Sequence, residues 1–235
     1  EMMAVYKANH NPRLPYLMGV AEFNKLTDLP PELFNLDILD GSPPCSSFSM
    51  AGSREKKWGK ESKFREGQSV QVLDDLFFHF IETAKKLQPK VVVAENVKGL
   101  IAGNARGYVK QIFKAFKDCG YCPQLFLLNA SAMGVPQKRE RTVFIATRID
   151  LNKPAMHLVF NERPISVETA FEGLGPQPGV ATDTQKIYWS KVRPGESFAS
   201  VHPKAHWFNS IKLHPNLPAN TLAASGGAGG LYHYT

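Results

Sequence analysis

The chain has 235 residues, 43% of them apolar and 21% charged, a length for one large domain with a smaller appendage and a composition that excludes a disordered or fibrous protein. Its longest apolar run is far short of the roughly 20 residues a bilayer span needs, and no basic-then-apolar leader opens it, so a cytosolic protein is expected. Twenty-eight basic against 21 acidic residues give a net charge of +7, which favours a polyanionic partner, nucleic acid ahead of an acidic membrane surface.

In chain order, Asn35–Gly41 is a short apolar run ended by Gly and then Ser42-Pro43-Pro44, the pattern of a buried strand stopping at a turn. A polar, lysine-rich stretch follows as far as Gln68. In it, residues 54–65 hold six basic and two acidic side chains with Trp58 and Phe64 interleaved, which on charge alone reads as a solvated loop. From Ser69 to Leu87, Val72, Leu73, Leu76, Phe77, Phe80, Ile81, Ala84 and Leu87 recur at helical spacing until Pro89 closes the element. Val91–Ala94 predicts a strand ending at Glu95-Asn96, Tyr108–Phe116 a second helix stopped by Gly120, and Leu125–Leu128 and Thr142–Ala146 two further strands.

Such alternation implies an α/β fold, a parallel or mixed sheet with helices on both faces, whose sites lie at the carboxyl ends of the strands. Cys45 and Glu95 are therefore expected to face one crevice. After Arg148, Pro and Gly become frequent and helical periodicity weakens, so a smaller irregular domain is expected from about residue 150. The Gly-rich run at 226–230 reads as a loop.

Cys45 follows two prolines, which stiffen the backbone and suit a thiol held at a fixed angle; a buried structural cysteine is the competing reading. Glu95 ends an apolar strand, where desolvation favours the protonated acid and a general-acid role, whereas pairing with Arg139 or Arg141 would favour the ionised form and a structural role. Gln137-Lys-Arg-Glu-Arg141 places two planar guanidinium forks two residues apart before a strand, and both project to one side if strand geometry starts early. Cys119-Gly-Tyr-Cys122 has redox spacing in the wrong context, because it closes a helix and opens a strand; these thiols are expected to be turn and core residues. No second cysteine pair or nearby histidine supports a metal site, and three cysteines do not make a disulfide framework.

Taken together, Pro43-Pro-Cys-Ser-Ser-Phe-Ser49, Glu95-Asn-Val97 and Gly134-Val-Pro-Gln-Lys-Arg-Glu-Arg-Thr-Val-Phe-Ile145 resemble the C5-cytosine DNA methyltransferase family in order and spacing. Ser166–Phe171, Val192–Ser197 and Pro218–Leu222 look like that family's target-recognition region and its boundary. The resemblance implies a Rossmann-like S-adenosylmethionine-dependent methyltransferase sheet over residues 1–149, a small irregular target-recognition domain over 150–222, and a return segment at 223–235. It implies transfer of a methyl group from S-adenosylmethionine to C5 of a cytosine in double-stranded DNA, flipped out of the helix because C6 is inaccessible in a stacked duplex.

In that chemistry Cys45 is the thiolate that adds to C6, and a free thiol of pKa ~8.5 needs activation for the task. Glu95 donates a proton or hydrogen bond to N3, with Asn96 holding the turn. Arg141 bonds the base O2 and positions Glu95, and Arg139 lies close to Cys45 and the target's backbone. The basic stretch resembles the family's mobile catalytic loop. Ser49, Arg54, Lys56, Lys57, Lys60 and Gln137 are accordingly expected to touch nucleic acid. Glu22, Phe23 and Leu76 are expected around the cofactor adenine, and no metal is expected.

Three departures qualify the match. The family's opening strand and Gly-rich cofactor turn are missing and so is its closing motif, so the chain is expected to be an excerpt of a longer one with an incomplete cofactor pocket. Ser46 stands where Gln is frequent. A branch of the family that methylates tRNA carries a Cys-Phe-Thr signature in its recognition region, and no cysteine follows Cys122, so DNA is preferred. An inactive nucleic-acid-binding remnant is the non-enzymatic alternative. The expected setting is a monomer in a bacterial or phage-infected cytoplasm, or the nucleus of a eukaryote, with a cognate restriction endonuclease as candidate partner.

Overall fold

A computed structural model of the chain describes residues 2–44, 61–62, 71–72, 75–101, 106–174, 182–205, 210–222 and 232–233. Helices α1 (Met2–His10) and α2 (Val20–Lys25) precede strand β1 (Ile38–Gly41). Two-residue strands β2 (Glu61–Ser62) and β3 (Gln71–Val72) pair antiparallel. Then come α3 (Leu76–Leu87), β4 (Val91–Val97), α4 (Arg106–Asp118), β5 (Tyr121–Asn129), β6 (Gln137–Lys138) and β7 (Glu140–Arg148). The main sheet runs β1-β4-β7-β5, with β1 parallel and β7 antiparallel to β4.

Two compact units result. The first comprises residues 1–127 and 141–156, the second 128–140 and 157–235. The chain therefore enters the second unit at the end of β5, leaves it at Arg141 and returns at His157, where the sequence suggested a single boundary near residue 150.

In the first unit, α3 forms because its apolar side chains share one stripe: Phe77, Phe80, Ile81, Ala84 and Leu87 are all buried. Lys85 and Lys86 occupy its last turn, where the helix dipole favours cations, and Gln88 at φ +49° caps it before Pro89 ends it. The helix starts at Leu76, later than the expected Ser69, because Gln71 and Val72 pair with Ser62 and Glu61 in a ladder instead.

Val92, Ala94 and Asn96 of β4 and Thr142, Phe144 and Ala146 of β7 are buried and directly opposed in register, so they define one face of the sheet. Phe144 meets Phe77 of α3 at 5.3 Å and Phe113 of α4 at 6.0 Å between ring centroids. Both helices thus cover that one face. The reason is the aromatic stripe each carries, Phe77 and Phe80 on α3 and Tyr108, Phe113 and Phe116 on α4, all served by the same Phe144 platform. Gly41 lets β1 approach α3 closely, since a Cβ there would lie 2.6 Å from the Phe80 ring.

The second unit is irregular. Ser166 caps α5 (Val167–Phe171) and Thr182 caps α6 (Asp183–Lys191), the latter in a reciprocal box with Gln185. Strand β6 pairs parallel with β9 (Ala219–Asn220), and β8 (Ile211–Lys212) pairs with β10 (Tyr232–His233). No described helix is long and apolar enough to cross a membrane.

Candidate active site

Strand β4 is longer than its apolar run suggested. Pairing with β7 continues through Glu95, Asn96 and Val97, opposite Val143, Thr142 and Arg141, so Glu95 and Asn96 lie inside the strand and not just beyond it. The ladder overrides the polar side chains because each backbone N–H and C=O finds a partner across the strand pair.

Alternation then sends the two residues to opposite faces. Glu95 turns away from the α3/α4 core, and its Oε1 lies 2.7 Å from Arg141 Nε. The side chains retain 38% and 21% exposure, so the pair is accessible to a bound molecule. Asn96 is buried on the core face: its amide Nδ2 donates to Pro43 O at 3.1 Å, and its Oδ1 accepts from Val97 N at 2.9 Å. It thus fixes the segment that leads directly into Cys45. Beside it, buried Thr142 donates to Val97 O at 3.2 Å. The sequence carries no local signal for Thr142, whose role depends on cross-strand register.

Arg139 precedes β7 and belongs to the second unit, so the two arginines of the Gln137–Arg141 segment do not share the strand geometry that an early start would give. Its backbone is fixed from two sides: Arg139 N donates to Gln137 O at 3.0 Å and Ala130 N donates to Arg139 O at 3.0 Å. Gln137 is half-buried, and its Oε1 accepts from Leu222 N at 3.4 Å. Cys45, Ser49, Arg54, Lys56, Lys57 and Lys60 lie outside the described residues.

The residues expected around the cofactor sit on two adjoining helices, α2 and α3. Glu22 is exposed, with Oε2 accepting from Gly19 N at 3.1 Å, one of the roughly four bonds a carboxylate can accept. Phe23 is half-buried and meets the edge of Tyr16 at 5.0 Å, and half-buried Leu76 opens α3. An anionic acceptor, an aromatic ring and an aliphatic wall fit the adenosine end of S-adenosylmethionine.

Of the remaining cysteines, Cys119 behaves as its context implies and Cys122 does not. Burial pushes the Cys119 thiol up, the opposite of what a redox nucleophile requires, and it packs against the core. Cys122 departs from the core expectation: it is exposed, because β5 turns Tyr121 and Pro123 inward and the residue between them outward. Among the described residues no group of His, Cys, Asp or Glu is arranged to hold a metal ion.

Comparison with known proteins supplies the context. The model of the C-5 cytosine-specific DNA methylase family matches residues 1–210. Type II methyltransferase M.NgoPII of Neisseria gonorrhoeae is 36% identical over 152 residues, covering 63% of this chain and 39% of that protein. M.NgoFVII from the same organism is 29% identical over 231 residues, 87% of this chain and 57% of that one. The chain therefore spans between about two fifths and three fifths of the length of these relatives. Among solved structures, a protein described as a DNA modification methyltransferase encoded within an E. coli prophage shares the fold, with a TM-score of 0.50 at 20% identity over 79% of this chain and 62% of that one. With its family model matched over nearly the whole length and the Glu95–Arg141 pair in place, the chain belongs to the C-5 cytosine-specific DNA methylases.

Proposed function

We propose that this chain carries the catalytic centre of a DNA cytosine C5-methyltransferase, with Cys45, Glu95, Arg139 and Arg141 acting on a cytosine flipped out of the duplex. The observation that supports this most directly is the ion pair of Glu95 with Arg141, two motif residues 46 positions apart in sequence and 2.7 Å apart in space; since pairing alone also fits the structural reading of Glu95, the activity of Arg141→Ala decides between the two. Cytosine C5 is a poor nucleophile. Addition of the Cys45 thiolate at C6 breaks the aromatic system and makes C5 electron-rich, while Glu95 offsets the charge at N3 by a proton or hydrogen bond. Arg141 donates to O2 of the base and holds the Glu95 carboxyl in place; Arg139 lies by Cys45 and the target's backbone. S-adenosylmethionine, when bound, supplies the electrophilic methyl group. Loss of the C5 proton and elimination of the Cys45 thiolate restore the C5=C6 bond and the enzyme.

Glu22, Phe23 and Leu76 hold the adenine side of the cofactor in this reading, and residues 150–222 read the DNA sequence. Ser49, Arg54, Lys56, Lys57, Lys60 and Gln137 contact the nucleic acid. A paired restriction endonuclease is the expected partner, because two of the relatives are type II methyltransferases. The test gives the complete gene product methyl-labelled S-adenosylmethionine with duplex DNA and, separately, tRNA, and identifies the labelled nucleoside by mass; label in neither favours the inactive nucleic-acid-binding reading. 5-Methylcytosine in DNA is expected, with Cys45→Ser losing transfer but keeping DNA affinity. Label in tRNA alone moves the substrate to RNA, and parental transfer by Cys45→Ser overturns the mechanism.

A further inference from the structure

Helix α2 carries Glu22 and Phe23 yet has only six residues and buries none of them. A helix that short has no stability of its own in water, so its place is set by what grips it. The grip comes from α3. Asn24 Nδ2 donates to His79 O at 2.9 Å, and the Thr83 hydroxyl, whose residue is buried, lies 2.8 Å from Asn24 Oδ1 and 3.0 Å from His79 O. One turn further, Lys86 Nζ donates to Asn24 O at 2.9 Å and also to Leu26 O, where α2 ends. The same ammonium stands 5.9 Å from the centroid of the Phe23 ring.

These hydrogen bonds at the end of α2 are thus made with the helix whose first residue is Leu76, and Tyr16 adds an edge contact to the Phe23 ring. We infer that Thr83 and Lys86 are positioning residues for cofactor binding: they hold α2, and with it Phe23, on the helix that Leu76 opens, so that the residues expected around the adenosine group are ordered before it binds. Preorganisation of this kind acts on affinity for the nucleoside, because an untethered α2 must be ordered again each time ligand binds. Lys86 acts through the Asn24 and Leu26 carbonyls at a helix C-terminus, where a cation is favoured, and through the Phe23 ring face. The inference rests on the methyltransferase reading and extends it to residues that touch neither cofactor nor DNA.

The test measures S-adenosylhomocysteine binding by titration calorimetry in the complete gene product that carries this chain, for the parent, Thr83→Val, Thr83→Ser and Lys86→Met, with melting midpoints recorded alongside. Thr83→Val and Lys86→Met are expected to weaken binding about tenfold, the loss of one or two hydrogen bonds' worth of preorganisation. KM for S-adenosylmethionine should rise equally while kcat and KM for DNA stay at parental values, and Thr83→Ser should restore affinity. Folded variants that bind S-adenosylhomocysteine as the parent does overturn the inference, as does an equal loss of DNA affinity. A parent that binds no S-adenosylhomocysteine overturns the methyltransferase reading beneath it, which separates the two failures.

Discussion

Arg141 and Glu95 are not direct cross-strand partners: the register sets Arg141 opposite Val97 and Glu95 opposite Val143, so their 2.7 Å contact is a diagonal one. A diagonal is reachable only by a long side chain. Arg141→Ala should therefore lower methyl transfer by about a hundredfold or more, the scale of losing an acid–base partner, and Arg141→Lys should recover little of it because an ammonium lacks the planar fork. Since the pair is partly exposed, the stability loss should stay within about 1 kcal/mol. Urea unfolding and single-turnover kinetics on the same preparations check both halves. An Arg141→Ala protein whose rate falls only in step with its folded fraction counts against a chemical role.

Asn96 works on the other face of the same strand. Its two bonds, to Pro43 O and from Val97 N, are buried, and removing it leaves a backbone carbonyl without its donor. Asn96→Ala should cost about 1–3 kcal/mol of stability. Transfer should fall further than that loss explains, because the freed carbonyl belongs to the two-proline segment that leads to Cys45. Asn96→Asp keeps the acceptor for Val97 N but sets a buried carboxylate against the Pro43 carbonyl, so it should show the activity defect with a larger stability loss than Asn96→Ala.

Much of this was legible beforehand, for a physical reason. The stripe Phe77–Phe80–Ile81–Ala84–Leu87 and the runs at Val91 and Thr142 each declare their period locally; the motif residue Glu95 directly follows the first run and Arg141 directly precedes the second. What stayed hidden depends on partners distant in sequence. Nothing near Glu95 announces that β7 will extend its strand by three residues. Nor does a helical stripe say that α3 and α4 share the Phe144 face. Asn24, Thr83 and Lys86 read as ordinary polar positions, and only the docking of α2 on α3 turns them into a network.

Gly41 sits where β1 passes the Phe80 ring, and a methyl group at that position would stand 2.6 Å from a ring carbon. Gly41→Ala should destabilise the protein by about 1–3 kcal/mol through overpacking. If close approach is the cause, Phe80→Leu combined with Gly41→Ala should be less destabilised than the two single losses added together. Denaturant midpoints of the three variants decide it, and strict additivity would show that the glycine serves something other than space.

The basic stretch supplies a prediction through charge alone. Lys56, Lys57 and Lys60, if they meet phosphates, each release a counterion on binding. Replacing all three with Gln should reduce the slope of log affinity against log salt by about 2–3, near 0.9 per lost phosphate contact on duplex DNA. Affinity should weaken alike for cognate and unrelated duplexes, because phosphate contacts carry no sequence information. An unchanged slope would assign the stretch to a solvated surface.

Tyr121 opens β5 with its ring fully buried and its hydroxyl donating to Pro89 O at 2.8 Å, the carbonyl just after α3 ends. Burial pushes this phenol up to about 12, with Arg148 opposing the shift weakly. The native state therefore holds the proton more tightly than the unfolded chain, whose phenol titrates near ~10. The stabilisation linked to keeping this buried phenol neutral is complete below about pH 10 and is lost as pH rises from there towards 12, amounting to about 2–3 kcal/mol over the window. Urea unfolding across pH 8 to 11 should show stability level at first and falling above ~10. Tyr121→Phe should start lower by about 1–3 kcal/mol, since Pro89 O loses its donor, and should lack this part of the alkaline decline. A parent and a variant that fall in parallel above pH ~10 would place the alkaline sensitivity in another group.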